Sequence, residues 1–200
     1  MGVRALALGS LGLTFFASGC GGGGATNGPA SCLQVQPCGG DVVGTWKILG
    51  GCINSAALTA NVMTACPGAS VSGSVEISGT ATFTDSAYPF EAAETISDTQ
   101  TLPLSCTGLA SCTDLQARIT ADNPDATVTC SGTDTCVCQT TLSIPQTTVS
   151  GTYTLSGTTI AQNNGTSTTT NDYCVQSNLL HLMSVNSMGQ VMIDDVAQKQ

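Results

Sequence analysis

The sequence predicts a mainly β fold, an antiparallel meander of about 8–10 strands closed into a barrel, with one or two short helices. Three observations point there. Several segments place apolar residues at every second position, the period of a strand with one buried face. Turn residues separate those segments at short intervals. Polarity comes from Ser and Thr, because only 8% of the residues are charged, and Thr in particular suits the outward face of a strand.

The first strand is "DVVGTWKILG", residues 41–50, with the only tryptophan on one face. From Cys52 to Cys66, the residues Ile53, Ala57, Leu58, Val62 and Ala65 fall near helical spacing. A short helix or helical loop is expected, stapled by Cys52 and Cys66. In "VSGSVEISGTATF", Val71, Gly73, Val75, Ile77, Gly79, Ala81 and Phe83 alternate with polar residues. One strand of that length exceeds the usual 3–10 residues, so a hairpin is expected with a Ser78-Gly79-Thr80 loop.

Ser111-x-x-Asp114 forms a capping box, and Leu115 and Ile119 follow at i, i+4, predicting a helix. The loop before it is expected to close through Cys106 and Cys112. "TVTCSGTDTCVCQTTLSI" then reads as strand, hairpin and strand. Between Leu155 and Ile160 the alternation changes phase, and a two-residue Gly157-Thr158 turn sets the two opposite each other. A turn at Ser177-Asn178 pairs Val175 with Leu180 and Tyr173 with Leu182, leaving Cys174 and His181 on the other face. Asn164-Gly165 is a further turn signal. The chain after Asp125 is thus one run of meander, and closure into a barrel removes its exposed edges.

The first charge is Arg4 and the next is Asp41. Between them, Ala5 to Phe16 is apolar. That run is shorter than the roughly 20 residues of a spanning helix but matches an export signal. It exits through Ala17-Ser18-Gly19-Cys20, which resembles a bacterial lipobox, with Ala17 where the usual pattern has Leu. The resemblance implies cleavage before Cys20 and acylation of its thiol. The competing reading is an ordinary A-x-A cleavage with Cys20 joining a disulfide. Residues 21–30, rich in Gly, form a flexible tether. No strand precedes and no helix follows these glycines, so they do not read as a phosphate cradle. The expected organisation is a signal peptide over 1–19, a lipidated Cys20 and tether over 20–31, and a disulfide-rich β domain over 32–200. The expected address is the bacterial cell envelope, and Gly21 after the cysteine favours the outer membrane by analogy.

The net charge is −9. Only Lys47, Arg118 and Lys199 remain after Arg4, far apart in the chain, which excludes nucleic acid and anionic lipid headgroups as partners. Of eleven cysteines, acylation of Cys20 leaves Cys32, Cys38, Cys52, Cys66, Cys106, Cys112, Cys130, Cys136, Cys138 and Cys174. An even set in an exported chain reads as a disulfide framework whose connectivity stays open. Zinc prefers wider spacing than Cys136-Val137-Cys138, and no metal is expected. Residues two apart on a strand are roughly 6–7 Å apart, so Cys136 and Cys138 should bond to other partners.

"VVGTWKI" resembles the G-x-W signature of the lipocalins and the wider calycins. "CVCQTTL", "SGTYTLSGTTI" and "YCVQSNLLHL" resemble the repeated hairpins of cysteine-rich bacterial lipoproteins with lipocalin-like domains. The resemblance implies a lipocalin-like barrel closed at one end by Gly44 and Trp46, with a basic residue over the indole. Arg118 and Lys199 are the candidates for that residue. It also implies an interior able to hold a small apolar ligand.

No catalytic constellation stands out. His181 is the single histidine, lies mid-strand without a G-x-S-x-G elbow, and reads as a surface or partly buried strand residue. Asp194 and Asp195, adjacent on a strand, point to opposite faces and read as solvated charges. Glu91, Glu94 and Asp98 form a loose acidic stretch without a calcium-loop pattern. The expectation is therefore no enzyme and no cofactor. Two roles remain: a lipid-anchored structural or interaction module with a packed barrel, favoured by the small number of aromatic residues, or a binding protein for a small hydrophobic ligand.

Overall fold

The computed structural model describes residues 35–186 and 189–200. The predicted signal, the Cys20 acylation site, the tether and Cys32 lie outside the described residues. The first half of the chain gives β1 (Gly44–Ile53), α1 (Ser55–Ala65), β2 (Ser70–Phe83), β3 (Ala87–Pro103), α2 (Leu104–Thr107) and α3 (Cys112–Asp122). The second half is all strand: β4 (Thr127–Ser131), β5 (Thr135–Ser156), β6 (Thr159–Asn163), β7 (Thr168–Gln176), β8 (Leu179–Val185) and β9 (Val191–Lys199).

Every pairing between these strands is antiparallel. The order is β3-β2-β1-β9-β8-β7-β6-β5-β4, and β3 also pairs with β5. That last contact closes a ring of eight strands, with β4 attached to β5 outside it. The fold is a mainly β, closed antiparallel barrel with three short helices.

The tight turns follow the phase changes in the sequence. Leu155 faces Ile160 across the turn at Gly157. Val175 faces Leu180 and Tyr173 faces Leu182 across Ser177-Asn178. Ser177 and Asn178 both have left-handed φ, 51° and 66°, the pair that a type I′ hairpin requires. Ser111 caps α3 by accepting from the Asp114 N–H at 3.1 Å.

One hairpin expected from the sequence is absent. β2 runs unbroken from Ser70 to Phe83, and Gly79 pairs with Ala92 in mid-strand. A Cβ on Gly79 would collide with the Glu91 carbonyl oxygen. Glycine here permits close strand approach, as at a barrel bend, and marks no turn.

The disulfides also differ from the expected staples. Cys66 bonds Cys106, Cys112 bonds Cys136, Cys130 bonds Cys138 and Cys38 bonds Cys174. Cys52 is disulfide-bonded as well, with a partner outside the described residues. Cys52 and Cys66 stand at opposite ends of the 11-residue α1, about 16 Å of helix, which no single bridge spans. Cys112 opens α3 on the side facing β5 and joins a cluster with Leu115 and Cys136, which takes it away from Cys106. Cys136 and Cys138 share a face of β5 and bond to different partners. In the chain-entropy account a bridge closing about 100 residues removes roughly 4.7 kcal/mol of unfolded-state freedom, against roughly 3 kcal/mol for a 15-residue loop. Among the described bridges, Cys38–Cys174, spanning 136 residues, is therefore the strongest single clamp. It pins the chain before β1 against the part of β7 that β6 leaves unpaired, where Val175 N–H donates to the Gly39 carbonyl at 2.8 Å.

The interior has an apolar floor. Trp46 is fully buried, and its indole N–H donates to the Val42 carbonyl at 2.7 Å. Phe83 meets Tyr153 edge-on at 5.3 Å and Tyr88 at 6.0 Å between ring centroids. Phe90, Ile160, Tyr173, Leu180, Leu182 and Ala197 belong to the same cluster. Lys199, not Arg118, is the basic residue over the indole, 5.3 Å from the ring centroid. Its aliphatic stem crosses Gly44, where a Cβ would come within 2.8 Å of Cε. The small residue at 44 thus makes room for the lysine stem.

Replacing Trp46 by Ala is expected to cost about 3–5 kcal/mol in unfolding free energy, the range for a large buried aromatic. As the only tryptophan, Trp46 should give blue-shifted emission that acrylamide quenches poorly. Emission like that of free tryptophan would contradict the buried floor.

Candidate functional site: an acidic layer inside the barrel

The apolar interior is interrupted. The floor cluster reaches Ile96 on β3. At the far end, α1 and α3 contribute two further clusters, both of which include Leu102 of β3. Thr59 of α1 fastens that helix to β2, its hydroxyl donating to the Val71 carbonyl and accepting from the Val71 N–H, each at 3.0 Å. Between Ile96 and Leu102 the inward positions of β3 are Asp98 and Gln100, and Glu94 lies just on the floor side.

The inward orientation follows from strand period. Phe90, Ala92 and Ile96 face the core, so Glu94, Asp98 and Gln100, at even steps from them, face it too. The ladders set Glu94 between Ile77 and Ile144, and Asp98 between Gly73 and Thr140. Glu91 has the opposite phase. It is exposed, and its carboxylate accepts from the Gln146 amide. The acidic stretch read from the sequence therefore divides, one carboxylate outside and two inside.

A third carboxylate enters from the opposite wall. The register between β1 and β9 shifts between Ile48 and Gly50, so that Gly51 faces Asp195. Asp195 lies on the inward phase of β9 with Ala197. It is 5% exposed, and its Oδ2 has no hydrogen-bond partner. Its Oδ1 occupies the space that a Cβ on Gly51 would need, with Val75 alongside. At Gly73 a Cβ would meet the Ser97 carbonyl oxygen at 2.9 Å, with Ile53 Cδ1 at 3.3 Å and Asp98 Cβ at 3.4 Å, so glycine there permits close strand approach. Gly51 thus clears the space beneath the Asp195 carboxyl.

Burial shifts all three groups toward the neutral form. Glu94 is pushed up to about 7 by loss of solvent. Asp98 is raised for the same reason, while the hydrogen bond from Gln100 opposes the rise. The Gln100 amide donates to Asp98 at 2.9 Å. Asp195 is raised well above the usual carboxylate range, first by burial, then by the charges of Glu94 and Asp194.

Two sequence expectations fail at this point. Asp194 and Asp195 do point to opposite faces, but neither is solvated: Asp194 is 0% exposed. On the outer face of the same strands, His181 is buried rather than superficial, and its Nδ1 lies 3.0 Å from both Asp194 oxygens. Met183, Val196 and the bridged Cys174 are buried on that face as well. The pair fastens β8 to β9. The sequence reading missed the Glu94–Asp98–Asp195 layer, although one signal was present: both β3 acids share the phase of Phe90, Ala92 and Ile96.

No family model matches the chain, and no curated protein or solved structure matches it either.

The acids give stability a definite pH dependence. A folded-state pKa above the unfolded value means that the native form holds protons the unfolded chain has lost. Stability from Glu94 is therefore complete below its ordinary value of 4.5 and is lost as pH rises through about 7. The melting temperature should rise as the pH is lowered across that window. Glu94→Gln should flatten the rise. An unchanged slope in the variant would show that Glu94 is solvated.

Proposed function

We propose that this chain is a barrel protein of the bacterial envelope, held to a membrane through lipid on Cys20, that binds a small ligand in the upper part of its lipocalin-like interior. One observation carries the binding half of the reading. The inward side chains from Glu94 to Gln100 on β3, and Leu142 and Ile144 on β5, stay partly exposed between apolar clusters instead of closing on one another. Barrels of about eight strands are either filled by side chains or hold one small ligand. The floor around Trp46 is of the first kind, and the layer above it is of the second. A layer with polar groups beside apolar walls is the usual composition of a small-molecule site. The alternative role, an interaction module with no ligand, is favoured by the filled floor and by the density of bridges.

The membrane half rests on the Ala17-Ser18-Gly19-Cys20 motif and the tether behind it. Cys20→Ala should release the protein from the membrane fraction, and the mature N-terminus should carry acyl mass on Cys20. For the binding half, thermal unfolding of the oxidised protein should respond to a small amphiphile that fits the layer. Occupancy at 100 times Kd stabilises a native state by about 2.7 kcal/mol. A panel of neutral, anionic and cationic amphiphiles that leaves the melting temperature unmoved would return the reading to the packed interaction module.

A further inference from the structure

We propose that the ligand of this layer is a small organic cation, a primary or secondary ammonium on a short apolar body. The inference rests on the binding role just stated and adds the chemistry of the ligand. Its basis is a charge balance that the chain leaves open. Glu94 and Asp98 face the interior from β3, and Asp195 faces it from β9. The chain has only four basic residues, and three of them are described. Lys47 is exposed on the outside of β1. Arg118 pairs with Asp122 at 2.9 Å on α3. Lys199 lies over Trp46, four residues and about 13 Å of strand from Asp195. Among the described residues, then, no basic side chain faces the three carboxyls.

Asp195 is the independent sign that something else does. A buried carboxylate oxygen without a partner is costly and rare. Here Oδ2 has none, and the carboxyl projects over Gly51 toward the interior. The same glycine keeps side-chain bulk out of the space beneath Asp195. Among the described residues no three His, Cys, Asp or Glu side chains are grouped closely enough to hold a metal ion. Carboxyls spread over two walls suit a larger group. An ammonium brings up to three N–H donors to acceptor-only carboxylates, and Ile96, Leu142 and Ile144 offer apolar surface to the body behind it.

Binding of a cation must compete with protons. The titratable group facing Glu94 is Asp195 on β9, and Asp98, on the same face of β3, lies four residues and about 13 Å farther along the strand. The neighbours of Glu94 on β2 and β5 are Ile77 and Ile144. Because Glu94 sits at about 7, cation binding at neutral pH should expel part of a proton.

The test is calorimetric titration of the full oxidised protein with pentylammonium, pentanol and pentanoate. Pentylammonium should bind, and the other two should bind at least tenfold more weakly. Its affinity should be lower at pH 6 than at pH 8 by about tenfold or more, tenfold being the change expected when one site must lose a proton with midpoint near 7 and the raised Asp195 adding to it. At pH 7 the measured heat should vary with the ionisation enthalpy of the buffer. Glu94→Gln and Asp195→Asn should each weaken binding by tenfold or more, whereas Glu91→Gln, on the outer face of β3, should not. The pH series on the unsubstituted protein stands even if a variant fails to fold. Equal or tighter binding of the alcohol or the carboxylate would overturn the cation and leave the binding role intact. Displacement of pentylammonium by stoichiometric calcium or magnesium would overturn it in favour of a metal. Failure of all three probes to bind would remove both the cation and the binding role.

Discussion

The pairing of the last strand with the first is the constraint on which the rest of the molecule depends. β9 lies between β8 and β1 and joins the two halves of the sheet that the β3–β5 pairing closes into a ring. Once the ring is closed, the two-residue period of a strand leaves each side chain only two environments, the interior or the outer face. Closure brings Lys199 beside Trp46 and Ala197 beside Ile48. One register shift follows, between Ile48 and Gly50. An extra residue in one strand reverses its phase. Trp46 and Ile48 face in before the shift, and Gly51 and Ile53 face in after it. Cys52 is thereby turned outward opposite Asp194, and Gly51 comes beneath Asp195. Without the shift, Gly50 instead of Gly51 would lie opposite Asp195, and Cys52 and Ile53 would exchange faces.

The resulting interior is uneven by construction. Its floor is packed with aromatic and aliphatic side chains, and the helices and bridges at the other end bring two more apolar clusters. Between them lies a layer that opposes folding whenever its acids are charged. A sequence selected for stability alone would put aliphatic residues at 94, 98 and 195. Places where a chain departs from such local consistency are where function is to be looked for. The four described bridges, one of them closing most of the chain, offset the burden of this layer.

Much of the architecture is legible in the sequence because hairpins and caps are local. The Leu155–Ile160 and Val175–Leu180 pairings follow from where the alternation changes phase, and α3 follows from Ser111 and Asp114. The misreadings have physical causes as well. Gly79 resembles a loop residue, yet it serves close strand contact, which local sequence does not report. Bridges such as Cys66–Cys106 join separate elements, so spacing along the chain says little about them. β9 is buried on both faces, so it lacks alternation, and its two adjacent acids imitate a solvated end. His181 looks superficial until β9 is placed beside it. The acids of β3 interrupt an otherwise apolar series, and only closure of the ring shows that they remain inside.

The central claim is that Glu94, Asp98 and Asp195 share a poorly solvated interior. Carbon-13 NMR of the side-chain carboxyl carbons through a pH titration tests it most directly. Glu94 should titrate with a midpoint near 7, with Asp98 and Asp195 also above the ordinary carboxylate range and the Glu94 and Asp195 curves coupled. If all three titrate independently near pH 4, as exposed carboxylates do, the layer is open to water and the account of the interior is wrong.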